Sequence, residues 1–210
     1  MTVDIATALY LYTLQDPNIY QPFNAALRSS DRKVVKAHYF PYLRLFATGL
    51  NLLKRHQRLE RNMKLYRGVN LDLLTSFPDV YRLGMCGYSV NGIQYRSSDL
   101  WLMMAVPIPV GGVVTFWEAA SCSLSAGVVE DFLQKEREDG GAATRECTLL
   151  RLETAQAVDI HEFSAFEREA EWVLPPGTSI KVTEKCELMK GIVMLECDDP
   201  AAEDKVDAIR

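Results

Sequence analysis

A chain of 210 residues, 48% of them hydrophobic, can bury one substantial core in one or at most two domains. A net charge of -5 and a pI near 5.3 argue against a nucleic-acid surface; the basic stretch Lys54 to Lys64, "KRHQRLERNMK", reads as the solvated face of a helix. The five cysteines (Cys86, Cys122, Cys147, Cys186, Cys197) are odd in number and form no CxxC pair, so no zinc or redox motif is read from them, and the count argues against a secreted disulfide framework.

In chain order, the first stretch, "MTVDIATALYLYTLQDPN", carries an acid at position 4 and no basic leader, so it does not resemble a signal peptide. A reduced intracellular setting is the expectation. Asp16-Pro17 is expected to open a helix through "NIYQPFNAALRSS", with Asp16 as its cap and Pro17 in the tolerant first turn. Asp31 can cap a second segment, "RKVVKAHYFPYLRLFATGLNLLKRHQR". There Leu43, Leu45, Phe46, Leu50, Leu52 and Leu53 recur at helical spacing, with an interruption near Pro41.

From Lys64 the character changes. "KLYRGV", "GVVTFWEAASCSL", "CTLLRLE", "EWVLPPGTSIKVTEKCEL" and "KGIVMLEC" are short and rich in Val, Ile, Thr and aromatics, and Gly, Pro or charge clusters separate them. Between the second and third, "SAGVVEDFLQKEREDGG" suggests a short helix ending at Gly140-Gly141. The uncharged run Leu100 to Trp117 is long enough for a membrane span, but Pro107, Pro109, Gly111 and Gly112 fall inside it. It reads instead as two buried strands joined by "PIPVGG". The residues after Cys197 are polar and are expected to form a flexible tail. The outline is α+β: a helical layer (1–63) packed on a β-rich core (64–197), followed by the tail 198–210.

Phosphate-loop, dinucleotide, nucleophile-elbow and zinc-helix motifs are absent, and His38, His56 and His161 are dispersed. Three local features carry chemistry. In "LYRGV", Arg67 leaves a strand just before a glycine, which suits a planar grip on phosphate. In "AASCSLS", Ser121 and Ser123 alternate to one side of a strand and Cys122 to the other. In "HEFSAFEREAEWVLPPGT", Glu167, Glu169 and Glu171 stand at i, i+2 and i+4. An extended backbone would project them together, about 7 Å apart per step, before Pro175-Pro176. Like charges set this close cost energy unless a cation, a substrate or a proton lies between them.

The order Arg, then Ser-x-Ser, then Glu-x-Glu before Pro-Pro-Gly resembles the arginine-specific mono-ADP-ribosyltransferases of the R-S-E group, more the eukaryotic branch than the clostridial toxins. "LYTLQDPNIYQPFNAALR" resembles that group's helical opening, and "FPYLRLFATGLNLL" its second helix. "AVDIHEFSAFEREAEWVLPPGTSIKV" matches the pattern Ile-x-x-x-Ser-x-x-x-x-Glu-x-Glu-x-x-Leu-Pro-Pro-Gly. Coverage runs from about Ala6 to Val182. The resemblance implies a helical layer on a mixed or antiparallel β-sandwich, NAD as co-substrate, and a protein acceptor bearing arginine. It implies no metal, no nucleic acid and no membrane span. Arg67 then matches the arginine that grips the NAD pyrophosphate, and Gly68 is a candidate for backbone contact with the nicotinamide amide. Ser121, with Ser123 two residues on, matches the serine that positions NAD and the second glutamate. Glu171 matches the catalytic glutamate facing the ribose, and Glu169 the one that orients the acceptor guanidinium. The chain departs from the family in having Ala119 where an aromatic is usual and Cys122 where threonine is usual.

The resemblance implies a cytoplasmic protein, or an effector or toxin delivered into a host cell. Three other readings stay open: an NAD glycohydrolase, a catalytically silent NAD-binding interaction module, and a thiol hydrolase using Cys122 with His161.

Overall fold

The computed structural model describes residues 1–29, 31–57, 63–69, 85–90, 93–96, 110–127, 129, 147–165, 170–189 and 192–200. Glu169, the apolar stretch 100–109, the part from 130 on of the helix expected to end at Gly140-Gly141, and the tail from 201 lie outside these residues.

The helical layer consists of α1 (Val3–Thr13), α2 (Tyr20–Arg28), the single turn α3 (Arg32–Val34) and α4 (Phe40–His56). Asp31 caps α3 as its residue type predicts, its side chain accepting the Lys33 N–H at 3.0 Å. Helix α2 starts later than the Asp16-Pro17 signal suggests. Its early acceptor is Asn18, whose Oδ1 takes the Gln21 N–H at 3.1 Å, while Asp16 and Pro17 lie in the bend ahead of it. The interruption expected near Pro41 is a π-helical turn at Val35–Tyr39. Pro41 itself sits in the first turn of α4, where a missing N–H is tolerated.

The described strands are β1 (Lys64–Val69), β2 (Met85–Val90), β3 (Ile93–Arg96), β4 (Val113–Phe116), β5 (Ala120–Ser123), β6 (Cys147–Glu153), β7 (Val158–Asp159), β8 (Glu171–Leu174), β9 (Thr178–Met189) and β10 (Ile192–Asp198). They hydrogen-bond in the order β3-β2-β4-β9-β10-β6-β1-β5-β8-β7. Only the β6–β10 pair among them is parallel, so the sheet is mixed.

Two of the strand-rich sequence runs are each divided between two strands. "GVVTFWEAASCSL" divides at Trp117–Ala119: β4 pairs with β9, whereas β5 pairs with β8. The physical reason lies in the link. The Ala119 carbonyl accepts from Tyr12 Oη at 3.1 Å and from Asn24 Nδ2 at 2.9 Å, so the helices take an acceptor that a ladder would otherwise use. "EWVLPPGTSIKV" divides at Pro175-Pro176-Gly177. Gly177 has φ +84°, in the left-handed region where glycine carries no Cβ penalty, and its N–H donates to the Phe116 carbonyl at the end of β4.

The ladder bends where β1 meets β5, joined by one residue pair, Tyr66↔Ser123. Beyond that corner the two halves face each other. Leu65, Leu150, Leu152, Ile180 and Leu195 share a buried cluster with Ala120, Cys122, Trp172 and Leu174. This is the sandwich core. The outer face of the β5–β8–β7 half carries Ala119, Val158, Ile160 and Val173, which pack with Leu9, Tyr12, Phe23, Phe46 and Leu50 of the helices. Burying each such side chain contributes about 1.5–3 kcal/mol, so both contacts hold the layers firmly. Strand β8 serves the two cores alternately: Trp172 and Leu174 face the sandwich, Val173 faces the helices. Strand β10 runs through Asp198. Asp199 then accepts from Thr154 Oγ1, the Ala155 N–H and Gln156 Nε2 at 2.6, 3.0 and 2.6 Å. Among the described residues, no helix is long and apolar enough to cross a membrane.

Candidate active site

The corner between β1 and β5 brings the sequence-singled residues together. Strand β5 alternates buried and half-buried positions: Ala120 and Cys122 enter the sandwich core, which turns Ser121 and Ser123 to the other side. Ser123 stands directly opposite Glu171 in the β5–β8 register, and Ser121 lies on the diagonal, within side-chain reach. The Ser121 hydroxyl makes that diagonal bond, donating to Glu171 Oε1 at 2.9 Å. Ser164, just after the short 3-10 turn His161–Phe163, donates to Oε2 at 3.0 Å. Both carboxylate oxygens therefore meet a hydroxyl donor, which fixes the plane of the group.

Arg67 crosses the corner from β1. Its Nη1 donates to the Ser121 carbonyl at 2.8 Å, and its Nη2 lies 3.6 Å from Glu118 Oε1. Its Nε is buried and has no hydrogen-bond partner among the described residues. One residue of β5 thus holds both others: the Ser121 backbone fixes Arg67 and its side chain fixes Glu171. Gly68 follows Arg67 in β1, opposite Leu149 of β6, and the Ser123 hydroxyl accepts the Ser125 N–H. The arrangement joins Arg67, Ser121 and Glu171, with Ser123 beside them. Glu169 lies outside the described residues.

Arg67 also lines a cleft of about 680 Å³ with Tyr20, Gln21, Asn24, Arg28 and Glu118. Ser121 and Glu171 are not part of its lining; they connect to it through Arg67. Apart from Arg67, these groups had no assigned role in the sequence. Glu118, only 3% exposed, forms an ion pair with Arg28 and faces Arg67 with its other oxygen. Burial holds its carboxyl above the usual carboxylate range, an effect that the two arginines oppose but do not cancel. Burial also pushes the Tyr12 hydroxyl up to about 12, so it remains a neutral donor to Ala119. The one available signal was the spacing of Asn24 and Arg28, which at i and i+4 share a face of α2. One step further along the link, the Arg32 guanidinium lies over the Trp117 ring at 5.2 Å. The helical layer thereby contacts each residue of the link from 117 to 119.

The thiol reading fails on chemistry. Cys122 is buried in the sandwich core and its thiol is pushed up to about 12, chiefly by desolvation, so it supplies no thiolate near neutrality. His161 is exposed and bonded to Asp159 at 2.8 Å. Among the described residues, no three His, Cys, Asp or Glu side chains gather in a way that would hold a metal.

A family model described as NAD:arginine ADP-ribosyltransferase matches residues 1–99, a span that includes Arg67. No curated protein sequence matches the chain. Among solved structures, the chain is similar to Vis toxin from Vibrio splendidus, with TM-score 0.58 and 17% identity over 96% of this chain and 75% of that one. It is also similar to HopU1 of Pseudomonas syringae pv. tomato DC3000 (TM-score 0.62, 16% identity, 93% and 76% covered). A third is exoenzyme S from Pseudomonas aeruginosa (TM-score 0.55, 15% identity, 94% and 74% covered). At these identities the structural likeness speaks for the fold, which is that of the ADP-ribosyltransferases. The family model matches residues 1–99, just under half of the chain, and the ADP-ribosyltransferase fold extends over nearly all of its length; the chain has that fold and is similar to that family.

Proposed function

We propose that the protein transfers ADP-ribose from NAD to an arginine side chain of a protein acceptor and releases nicotinamide. The observation that carries this reading is the Glu171 carboxylate, fixed by the Ser121 and Ser164 hydroxyls beside an arginine anchored to the same strand. As the glycosidic bond breaks, its electron pair leaves with nicotinamide and positive charge develops on the ribose. A carboxylate already held in place stabilises that charge without reorganising. Arg67, lining the cleft, grips the diphosphate, with Gly68 and Ser123 contributing to dinucleotide placement. Guanidinium, with a pKa above 12, is a poor nucleophile. Glu169 orients it and takes its proton as nitrogen bonds to the ribose carbon.

Two relatives support the choice of ligands. Vis has been solved with agmatine, a guanidine compound, and exoenzyme S with carba-NAD. Exoenzyme S was crystallised with a human 14-3-3 protein and Vis is a toxin, which supports an effector or toxin that meets its acceptor inside a host cell.

The test is incubation with labelled NAD and a panel of proteins, followed by mass spectrometry of the modified side chain. Label on arginine is the expected result. Glu171→Gln should lower nicotinamide release at least about 100-fold. Glu169→Gln should spare NAD hydrolysis while eliminating transfer. Label on another residue type would overturn the acceptor assignment, and release at the wild-type rate from Glu171→Gln would overturn the catalytic one.

A further inference from the structure

We infer that Glu118 is a positioning residue. Its carboxylate holds the guanidiniums of Arg28 and Arg67 side by side on one wall of the cleft, ready for the diphosphate of the dinucleotide. The inference rests on the proposed NAD reading and deepens it.

The geometry carries it. Glu118 belongs to the link between β4 and β5, and its side chain is only 4% exposed, yet it borders a cleft. Its two oxygens are divided between two elements: Oε2 pairs with Arg28 of α2, and Oε1 faces Arg67 of β1 at 3.6 Å. Without an anion between them, two guanidiniums at this spacing repel, and Arg28, whose side chain is 26% exposed, has solvent to turn into. A buried carboxylate contributes little net stability by being paired, because its desolvation offsets the attraction. What it contributes here is geometry. Arg67 Nη1 is committed to the Ser121 carbonyl at 2.8 Å, whereas the Nη2 contact with Glu118 is too long for a hydrogen bond and leaves that nitrogen able to donate to a phosphate oxygen. The three side chains together carry one net positive charge, so a doubly charged diphosphate is attracted to a pair whose spacing is already set. Preset spacing removes part of the ordering cost of binding.

The experiment measures NAD kinetics and carba-NAD affinity by calorimetry for wild type, Glu118→Gln, Arg28→Ala and the double variant, with thermal melts of each. Glu118→Gln should raise KM for NAD and Kd for carba-NAD about tenfold, with kcat within about twofold of wild type. In the Arg28→Ala background it should add less than it does alone, because holding Arg28 against Arg67 is no longer part of its effect. An unchanged or lower KM, or effects that multiply in the double variant, would overturn the inference. Glu118→Asp, which keeps the charge but shortens the reach, should fall between wild type and Glu118→Gln; it supplies the same readout should the glutamine variant not fold. A wild-type protein that neither binds carba-NAD nor releases nicotinamide would defeat this inference and the proposed function together. An active wild type with Glu118→Gln unmoved would defeat this inference alone.

Discussion

Glu171 receives one hydroxyl on each oxygen, and the two donors come from different places: Ser121 within β5, and Ser164 from the loop after the 3-10 turn. Removing either leaves the carboxylate freer to rotate. Ser164→Ala should lower kcat for nicotinamide release about tenfold, the worth of one hydrogen bond to a charged group, and leave KM for NAD nearly unchanged. Steady-state kinetics with a nicotinamide readout checks this, and an unaltered kcat would remove Ser164 from the site. The buried thiols give a second expectation at this scale. Cys122 and Cys197 are each raised from 9.0 to about 12 by burial, so in the alkaline range the unfolded chain ionises first. Stability contributed by these thiols is complete below pH 9 and is lost between pH 9 and about 12, by about 1.4 kcal/mol per pH unit for each. Urea melts from pH 8 to 11, wild type against Cys122→Ala, should show the variant losing less stability across that window. Arg67, Ser121 and Glu171 were legible in the sequence because their residue types and order match a family pattern. Glu118 and Arg28 were not. Ninety residues separate them, and a charged residue on a helix or in a loop looks the same on paper whether it faces water or a partner.

At the scale of elements, the link Trp117–Ala119 between β4 and β5 shows what a period-two reading misses. Both flanking runs have strand composition, and nothing local marks a break. The break is imposed from 95 and 107 residues away, where Asn24 and Tyr12 both donate to the Ala119 carbonyl. Either donor alone satisfies that buried acceptor. Tyr12→Phe should therefore cost less than about 1 kcal/mol, while Tyr12→Phe with Asn24→Ala should cost more than the sum of the two, because the carbonyl is then orphaned. A double-mutant cycle in urea decides it, and strict additivity would mean the two bonds act independently. The Pro175-Pro176-Gly177 turn was readable as a strand end, since two prolines and a left-handed glycine have a local cause. Strands β2 and β3 were not picked out: four to six residues of mixed polarity, including Gly87, carry too weak an alternation to separate from loop.

For the whole molecule, the class was legible because helical periodicity stops and strand composition begins near Lys64, and β1 does start there. The strand order was not, because partners such as β6 and β10 meet in parallel across a long separation that no local pattern encodes. Ion pairs at register-opposed positions, Arg151 with Glu196 and Lys64 with Glu153, likewise become visible only once the register is known. The proposed dinucleotide site lies where β1 and β5 join through one residue pair. Saturating carba-NAD, at about 100 times its Kd, should stabilise the wild type by about 2.7 kcal/mol, seen as a higher Tm in a thermal melt. Arg67→Ala should lose that gain and also melt lower with no ligand present, since the guanidinium is bonded to the Ser121 carbonyl on the far side of the join. A variant that is inert yet as heat-resistant as its parent would show that the arginine is no structural rivet. The consequence is practical: silence from an Arg67 knockout confounds a lost anchor for the nucleotide with a loosened seam, and only its ligand-free melting curve tells one cause from the other.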